Sequence, residues 1–137
     1  MSEQNKAAVR HFIETAFNQH DLGGFPDYYS PNLIDHALPP NMPQGLEGRK
    51  MLASMFFTGF PDIRVTIEDM VAEGDKVVAY WSATGTHQGD LMGIPPTGKY
   101  VTISGMAIDR LQGGKSVEHW EIIDQLGLMQ QLGVIPA

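Results

Sequence analysis

The chain has 137 residues, enough for one domain with a substantial core and no need of disulfide or metal staples. It contains no cysteine, which excludes disulfides, a thiolate nucleophile and a thiolate-bound metal. A formal charge of -7 and a pI near 5.0, with Lys and Arg scattered singly, argue against nucleic acid or an anionic membrane surface as a partner.

The opening MSEQNKAAVRHF has no apolar signal core and leads into a helical pattern. Over residues 2–19, Val9, Phe12, Ile13, Ala16 and Phe17 recur on one helical face, with Ser2 as a possible N-cap. Gly23-Gly24 breaks this helix, and a short turn or helix is expected around Phe25 to Tyr29. Asn32 to Leu38 reads as a short strand. Alternation puts Leu33, Asp35 and Ala37 on one face and Asn32, Ile34, His36 and Leu38 on the other. Gly48 to Phe60 gives a second amphipathic helix, ended by Gly59 and Pro61.

The period then changes from helical to alternating. Ile63 to Ala72 and Val77 to His87 are strands joined by a Glu73-Gly74-Asp75 hairpin. A Gly- and Pro-rich loop, 88–98, separates them from Tyr100 to Leu111. A turn at 112–115 leads to the last strand, Ser116 to Asp124, and Leu126 to Leu132 closes as a short helix. Helices first and an antiparallel meander later predict a single α+β domain over residues 1–137. Glycines within the strands, Gly85 and Gly105, predict a strongly bent sheet. Helices closing such a sheet make a cone-shaped barrel with an internal pocket.

The order of elements resembles the nuclear transport factor 2-like cone fold. Within that fold the chain is similar to the SnoaL-like polyketide cyclases. The stretches that carry the resemblance are GDLMGIPPTGKYVTISGMAIDR (89–110), GGKSVEHWEIIDQLGLMQQLG (113–133) and DHALPP (35–40). The family implies a homodimer paired through the outer sheet face. It also implies a cofactor-free acid–base enzyme that closes a ring by intramolecular aldol reaction on an enolisable, hydrophobic or aromatic carbonyl compound. In that family the aspartate at the place of Asp124 is the general acid/base. An apolar pocket suits this role, because desolvation raises a carboxyl pKa toward working pH. Ketosteroid isomerase, which has the same broad fold, is an established case of such tuning. The competing reading of Asp124 is an N-cap for the final helix.

His36, on the early strand, is expected to line the pocket and touch a substrate carbonyl. His119 poses a parity question. Regular alternation puts Glu118, Trp120, Ile122 and Asp124 on one face and His119, Glu121 and Ile123 on the other. With Asp124 in the pocket, His119 joins it only through a β-bulge, and otherwise belongs to an interface or a cross-strand network. Arg110 is read as a cross-strand partner of Glu118 or Glu121, or as a counterion for substrate. Trp120, Trp81, Tyr80 and Met106 are candidate walls, and His87 a candidate entrance residue. The five histidines form no HxH or HxxxH pair, so no metal is expected. No dinucleotide, phosphate-loop or nucleophile-elbow motif is present, so no cofactor is expected either. Two alternatives stay open: a hydrolase or isomerase in the same pocket, epoxide-hydrolase-like or ketosteroid-isomerase-like, and a non-catalytic small-molecule-binding dimer. A soluble cytoplasmic protein is the expected setting.

Overall fold

The structure, a computed structural model, describes residues 2–136. Helix α1 (Ser2–Phe12) continues as a wider, π-type turn over Ile13–Phe17. A 3₁₀ turn at Leu22–Gly24, capped by the Asp21 carboxylate on the Gly23 amide, feeds the one-turn helix α2 (Phe25–Tyr28). Strand β1 (Tyr29–Asp35) follows at once, then helix α3 (Leu46–Gly59). Strands β2 (Arg64–Glu73), β3 (Lys76–Thr86), β4 (Tyr100–Gln112) and β5 (Lys115–Ile123) form the meander, and α4 (Gln125–Leu132) ends it.

The sheet order is β1-β5-β4-β3-β2. The meander is antiparallel, but β1 lies parallel to β5, so the sheet is mixed rather than wholly antiparallel. β1 and β2 are the two edges and do not pair with each other. The sheet is therefore curved but open, and helices instead of strands complete the cone. β1 starts three residues earlier than expected and runs through Pro31. An edge strand tolerates this, because proline's missing N–H can face away from the only neighbour.

The concave face is lined by alternate residues: Val77, Ala79, Trp81 and Ala83 from β3, and Val101, Ile103 and Ala107 from β4. Gly105 sits in the β4 series because the Trp81 indole crosses it. A Cβ there would lie 2.5 Å from the indole and 2.8 Å from the Ile122 carbonyl. Gly85 makes the same allowance for the Phe60 ring.

Two apolar clusters fill the cone. One joins α1 and α2 to the sheet through Phe12, Phe25, Tyr28 and Tyr29, with Phe12 stacked on Tyr28 at 4.6 Å. The other packs Phe60, Ile63, Val101 and Ile103 against Leu128 and Leu132 of α4. Burial of these side chains, each worth roughly 1.5–3 kcal/mol, is what holds the helices on the sheet.

Candidate functional site

A cavity of about 120 Å³ lies between the two clusters, on the concave side of the sheet. Most of its wall is apolar, from Phe17, Leu52, Phe56, Ile67 and Trp81 among others. At one end four elements bring charged groups together. β4 supplies Asp109, β5 supplies His119 and Glu121, β1 supplies Asp35, and the first turns of α3 supply Arg49. Asp35, Arg49, Asp109 and His119 are all buried, and Glu121 is nearly so.

The groups form one chain of contacts. His119 Nδ1 is 2.9 Å from Asp109 Oδ1, and Nε2 is 3.0 Å from Glu121 Oε1. Ser116 Oγ donates to the same Asp109 oxygen at 2.7 Å. Arg49 Nη1 reaches Glu121 Oε1 at 3.3 Å, while Nε donates to Asp35 Oδ2 at 2.8 Å. Asp35 in turn accepts from the Ala37 amide at 2.9 Å. Charges this deep persist only when paired, and here each has a partner of opposite sign.

The pairing decides the state of His119. Burial works to remove its proton, and the Arg49 charge works the same way. The Asp109 charge and the hydrogen bonds to Asp109 and Glu121 outweigh both and raise its pKa to about 9. His119 is then an imidazolium at neutral pH, donating from both nitrogens to the flanking carboxylates. Burial and neighbouring carboxylates also keep Tyr28 and Tyr29 protonated far above the usual range.

A local irregularity sets this geometry. The β4–β5 register shifts between Arg110 and Leu111, where Arg110 faces Glu118 but Leu111 faces Ser116. Val117 is the extra residue of a bulge. It lets Ser116 and His119 both face inward although they are three apart.

The structure thus resolves the parity question in the opposite sense to the sequence expectation. His119, Glu121 and Ile123 line the cavity, and Asp124 does not. Asp124 is the N-cap of α4, its Oδ1 accepting from the Gly127 amide at 2.9 Å. The bulge at Val117 lies before both residues and not between His119 and Asp124, so it leaves them on opposite faces. His36 also lies outside. Its Nε2 is 2.7 Å from Glu118 Oε2, and its ring stacks on Trp120 at 4.9 Å. Asp35, its neighbour on β1, is the inward one, as strand alternation requires.

Arg110 pairs with Glu118 at 3.0 Å across the hairpin. Hydrogen bonds from His36 and then Arg110 lower the Glu118 pKa. Tyr80, Met106 and Trp120 line a shallow depression on the convex face, shared with Asp124. His87 is wholly buried away from the cavity, its Nδ1 accepting from the Thr97 amide at 3.2 Å. Of the residues singled out from the sequence, Trp81 and His119 are the ones that reach the cavity.

Asp35, Arg49 and Asp109 have no site role in the sequence reading, and Glu121 enters it only as part of an interface or cross-strand network, not as a cavity residue. Their signal is an acidic or basic residue on an otherwise apolar face. Asp109 continues the alternation Val101, Ile103, Gly105, Ala107, and Arg49 stands one turn before Leu52 and Ala53.

The family model of SnoaL-like polyketide cyclases matches residues 7–132. The chain belongs to the SnoaL-like polyketide cyclase family. Solved structures with the same fold include TsrD from Streptomyces laurentii, at 28% identity and a TM-score of 0.87, covering 97% of each chain. AclR from Streptomyces galilaeus has 29% identity and a TM-score of 0.89, over 100% of this chain and 85% of its own. IdmH from Streptomyces antibioticus has 32% identity and a TM-score of 0.84, over 95% of this chain and 99% of its own. No curated protein matches the chain. In this SnoaL-like chain no helix among the described residues is long and apolar enough to cross a membrane. Among the same residues no three His, Asp or Glu side chains are arranged as a metal-binding group.

Proposed function

We propose that this SnoaL-like chain catalyses cofactor-free acid–base chemistry on an enolisable carbonyl compound inside the cone, closing a ring by intramolecular aldol reaction. The observation that supports it is His119, buried and held between Asp109 and Glu121 at the polar end of an apolar cavity. Deprotonation of carbon next to a carbonyl needs a base. Attack of the resulting enolate on a second carbonyl leaves an alkoxide, which needs an acid. In this reading the Glu121 carboxylate takes the carbon-bound proton. The enolate carbon bonds to the second carbonyl carbon, and the His119 imidazolium protonates the alkoxide. Proton transfer from Glu121 to His119 along their 3.0 Å contact restores the start. Reactant and product are isomers, so no other reagent is consumed.

Asp109 orients His119 and keeps it charged, and Arg49 fixes Glu121. Asp124, capping α4 outside the cavity, is assigned no proton transfer here. The reading extends to a cytoplasmic homodimer, paired through the convex sheet face. That face exposes Tyr80, Met106 and Ile122, which fits a covered surface better than a free one.

A panel of small enolisable carbonyl compounds, followed by mass spectrometry, tests the assignment. Glu121→Gln and His119→Gln should each lose at least about 100-fold in turnover of the compound converted by the unaltered chain. Full turnover in both variants would rule the assignment out. A second reading, hydrolysis of an epoxide, draws on Arg49 lying between Asp35 and Glu121. This is a carboxylate–guanidinium–carboxylate set able to hold a water and an epoxide oxygen. Release of a diol from an epoxide panel, lost in Arg49→Lys, would favour it over ring closure.

A further inference from the structure

The reaction proposed above asks one imidazolium to be held firmly and yet to give its proton away. The two flanking carboxylates serve the first need at the expense of the second. An acid works best when its pKa lies near the working pH, and the contacts of His119 with Asp109 and Glu121 move it further above. A group that tempers this pull is part of the machinery.

Ser116 is placed to do so. It is wholly buried, and the Val117 bulge turns it inward beside Asp109. Its neighbours across the sheet are Leu111 on β4 and Tyr29 on β1. Its hydroxyl has two acceptors in reach. Asp109 Oδ1 lies at 2.7 Å, the ordinary length of such a bond, and the Glu118 carbonyl at 3.4 Å, too long to compete. That same Oδ1 faces His119 Nδ1 at 2.9 Å. Two donors thus share one oxygen, and the Tyr28 hydroxyl also hydrogen-bonds this carboxyl group. An oxygen shared in this way draws less strongly on each donor. The other groups around His119 do not share this position. Glu121 meets Nε2, Arg49 meets Glu121, and Asp35 pairs with Arg49. The Tyr29 ring stands nearly perpendicular to the imidazole, with ring centres 6.1 Å apart.

Resting on the acid–base reading, we infer that Ser116 is a positioning residue of the catalytic pair. Its hydroxyl orients the Asp109 oxygen toward His119 and takes up part of that oxygen's pull, so that the imidazolium stays able to release its proton to the substrate. Ser116 touches no substrate itself and acts only through Asp109.

Nuclear magnetic resonance tests this apart from turnover. Histidine labelled with ¹³C in the ring would be titrated through the alkaline range, with His119 assigned through His119→Gln and the fold followed by circular dichroism. In Ser116→Ala the whole pull of Oδ1 falls to Nδ1–H. The His119 titration should move up by about half a unit to one unit, the worth of one hydrogen bond. Turnover of the compound converted by the unaltered chain should fall about two- to threefold at neutral pH, through kcat with KM little changed. Its alkaline fall should move up with the titration. A merely structural serine would instead lower the denaturation midpoint and leave the titration where it was.

The unaltered chain supplies a second measurement that needs no variant. At neutral pH the Ser116 hydroxyl proton should exchange slowly with water and show an Overhauser contact with the His119 Nδ1 proton. Rapid exchange of that hydroxyl overturns the inference. So does a His119 titration that stays in place or moves down in Ser116→Ala. Loss of turnover in Glu121→Gln and His119→Gln, with no shift in Ser116→Ala, would leave the acid–base reading standing and remove this one. The expected shift with full turnover in Glu121→Gln and His119→Gln would remove the catalytic assignment, and with it any catalytic role for Ser116.

Discussion

His119 is where burial and charge pairing oppose each other most directly. Its pKa is raised to about 9 from an ordinary 6.5, so the folded state holds this proton more tightly than the unfolded chain does. The stabilisation is complete below about pH 6.5 and is lost as pH rises through about 9, on the order of 3 kcal/mol. Urea unfolding at pH 6 and pH 9.5 should show that loss, and His119→Gln should show much less of it. The same titration predicts that turnover falls above about pH 9, as the proposed acid loses its proton. Asp124 makes a contrasting case. As a helix cap, Asp124→Ala should cost about 1 kcal/mol in stability, while Asp124→Asn keeps the cap and should cost almost nothing. Thermal denaturation of the two variants checks this. A large loss of turnover in Asp124→Asn with unchanged stability would return Asp124 to the catalytic list.

At the scale of elements, the β4–β5 pair does most to place the site. Its bulge at Val117 brings Ser116 beneath Asp109, and Asp109 then holds His119. The crossing of Trp81 over Gly105 fixes the indole beside the cavity. Gly105→Ala would set a methyl against both the indole and the Ile122 carbonyl, and the latter is backbone and cannot swing away. A loss of roughly 1–3 kcal/mol is expected from this overpacking, measured as a lower denaturation midpoint. Sequence alternation holds from His119 to Ile123 of β5 but fails at the Val117 bulge, where Ser116 and His119, three apart, both face inward. Asp35 and His36 were correctly set on opposite sides of β1, and so were His119 and Asp124 on β5. Alternation alone does not say which of the two sides a helix will cover.

For the molecule as a whole, the open sheet has a concave side covered by helices and a convex side that exposes large apolar residues. Ile122 is 79% exposed on the latter, beside Met106 at 55%. Under the proposed homodimer, Ile122→Glu should shift the chain from dimer to monomer in sedimentation velocity. The cavity faces the other way, so the turnover proposed above should survive. A monomeric unaltered chain at micromolar concentration would remove the dimer proposal. The two faces thus separate assembly from chemistry, and substitutions on one should leave the other largely intact.

By itself the sequence determined the α+β class, the order of helices and strands, the family resemblance and the alternation inside each strand. These depend on local periodicity and turn chemistry, which neighbouring residues carry among themselves. The tertiary structure decided which face became the interior, and therefore which polar residues meet. Asp35, Arg49, Asp109 and Glu121 come from four elements spread along the chain, and their contacts exist only once α3 lies across the concave side. The parallel pairing of β1 with β5 and the bulge at Val117 are likewise products of long-range packing. For this reason the polar cluster near the end of the chain was visible in the sequence, whereas its division was not. His119 and Glu121 go inward and Asp124 caps a helix, because burial is a property of what packs against a residue and not of the residue alone.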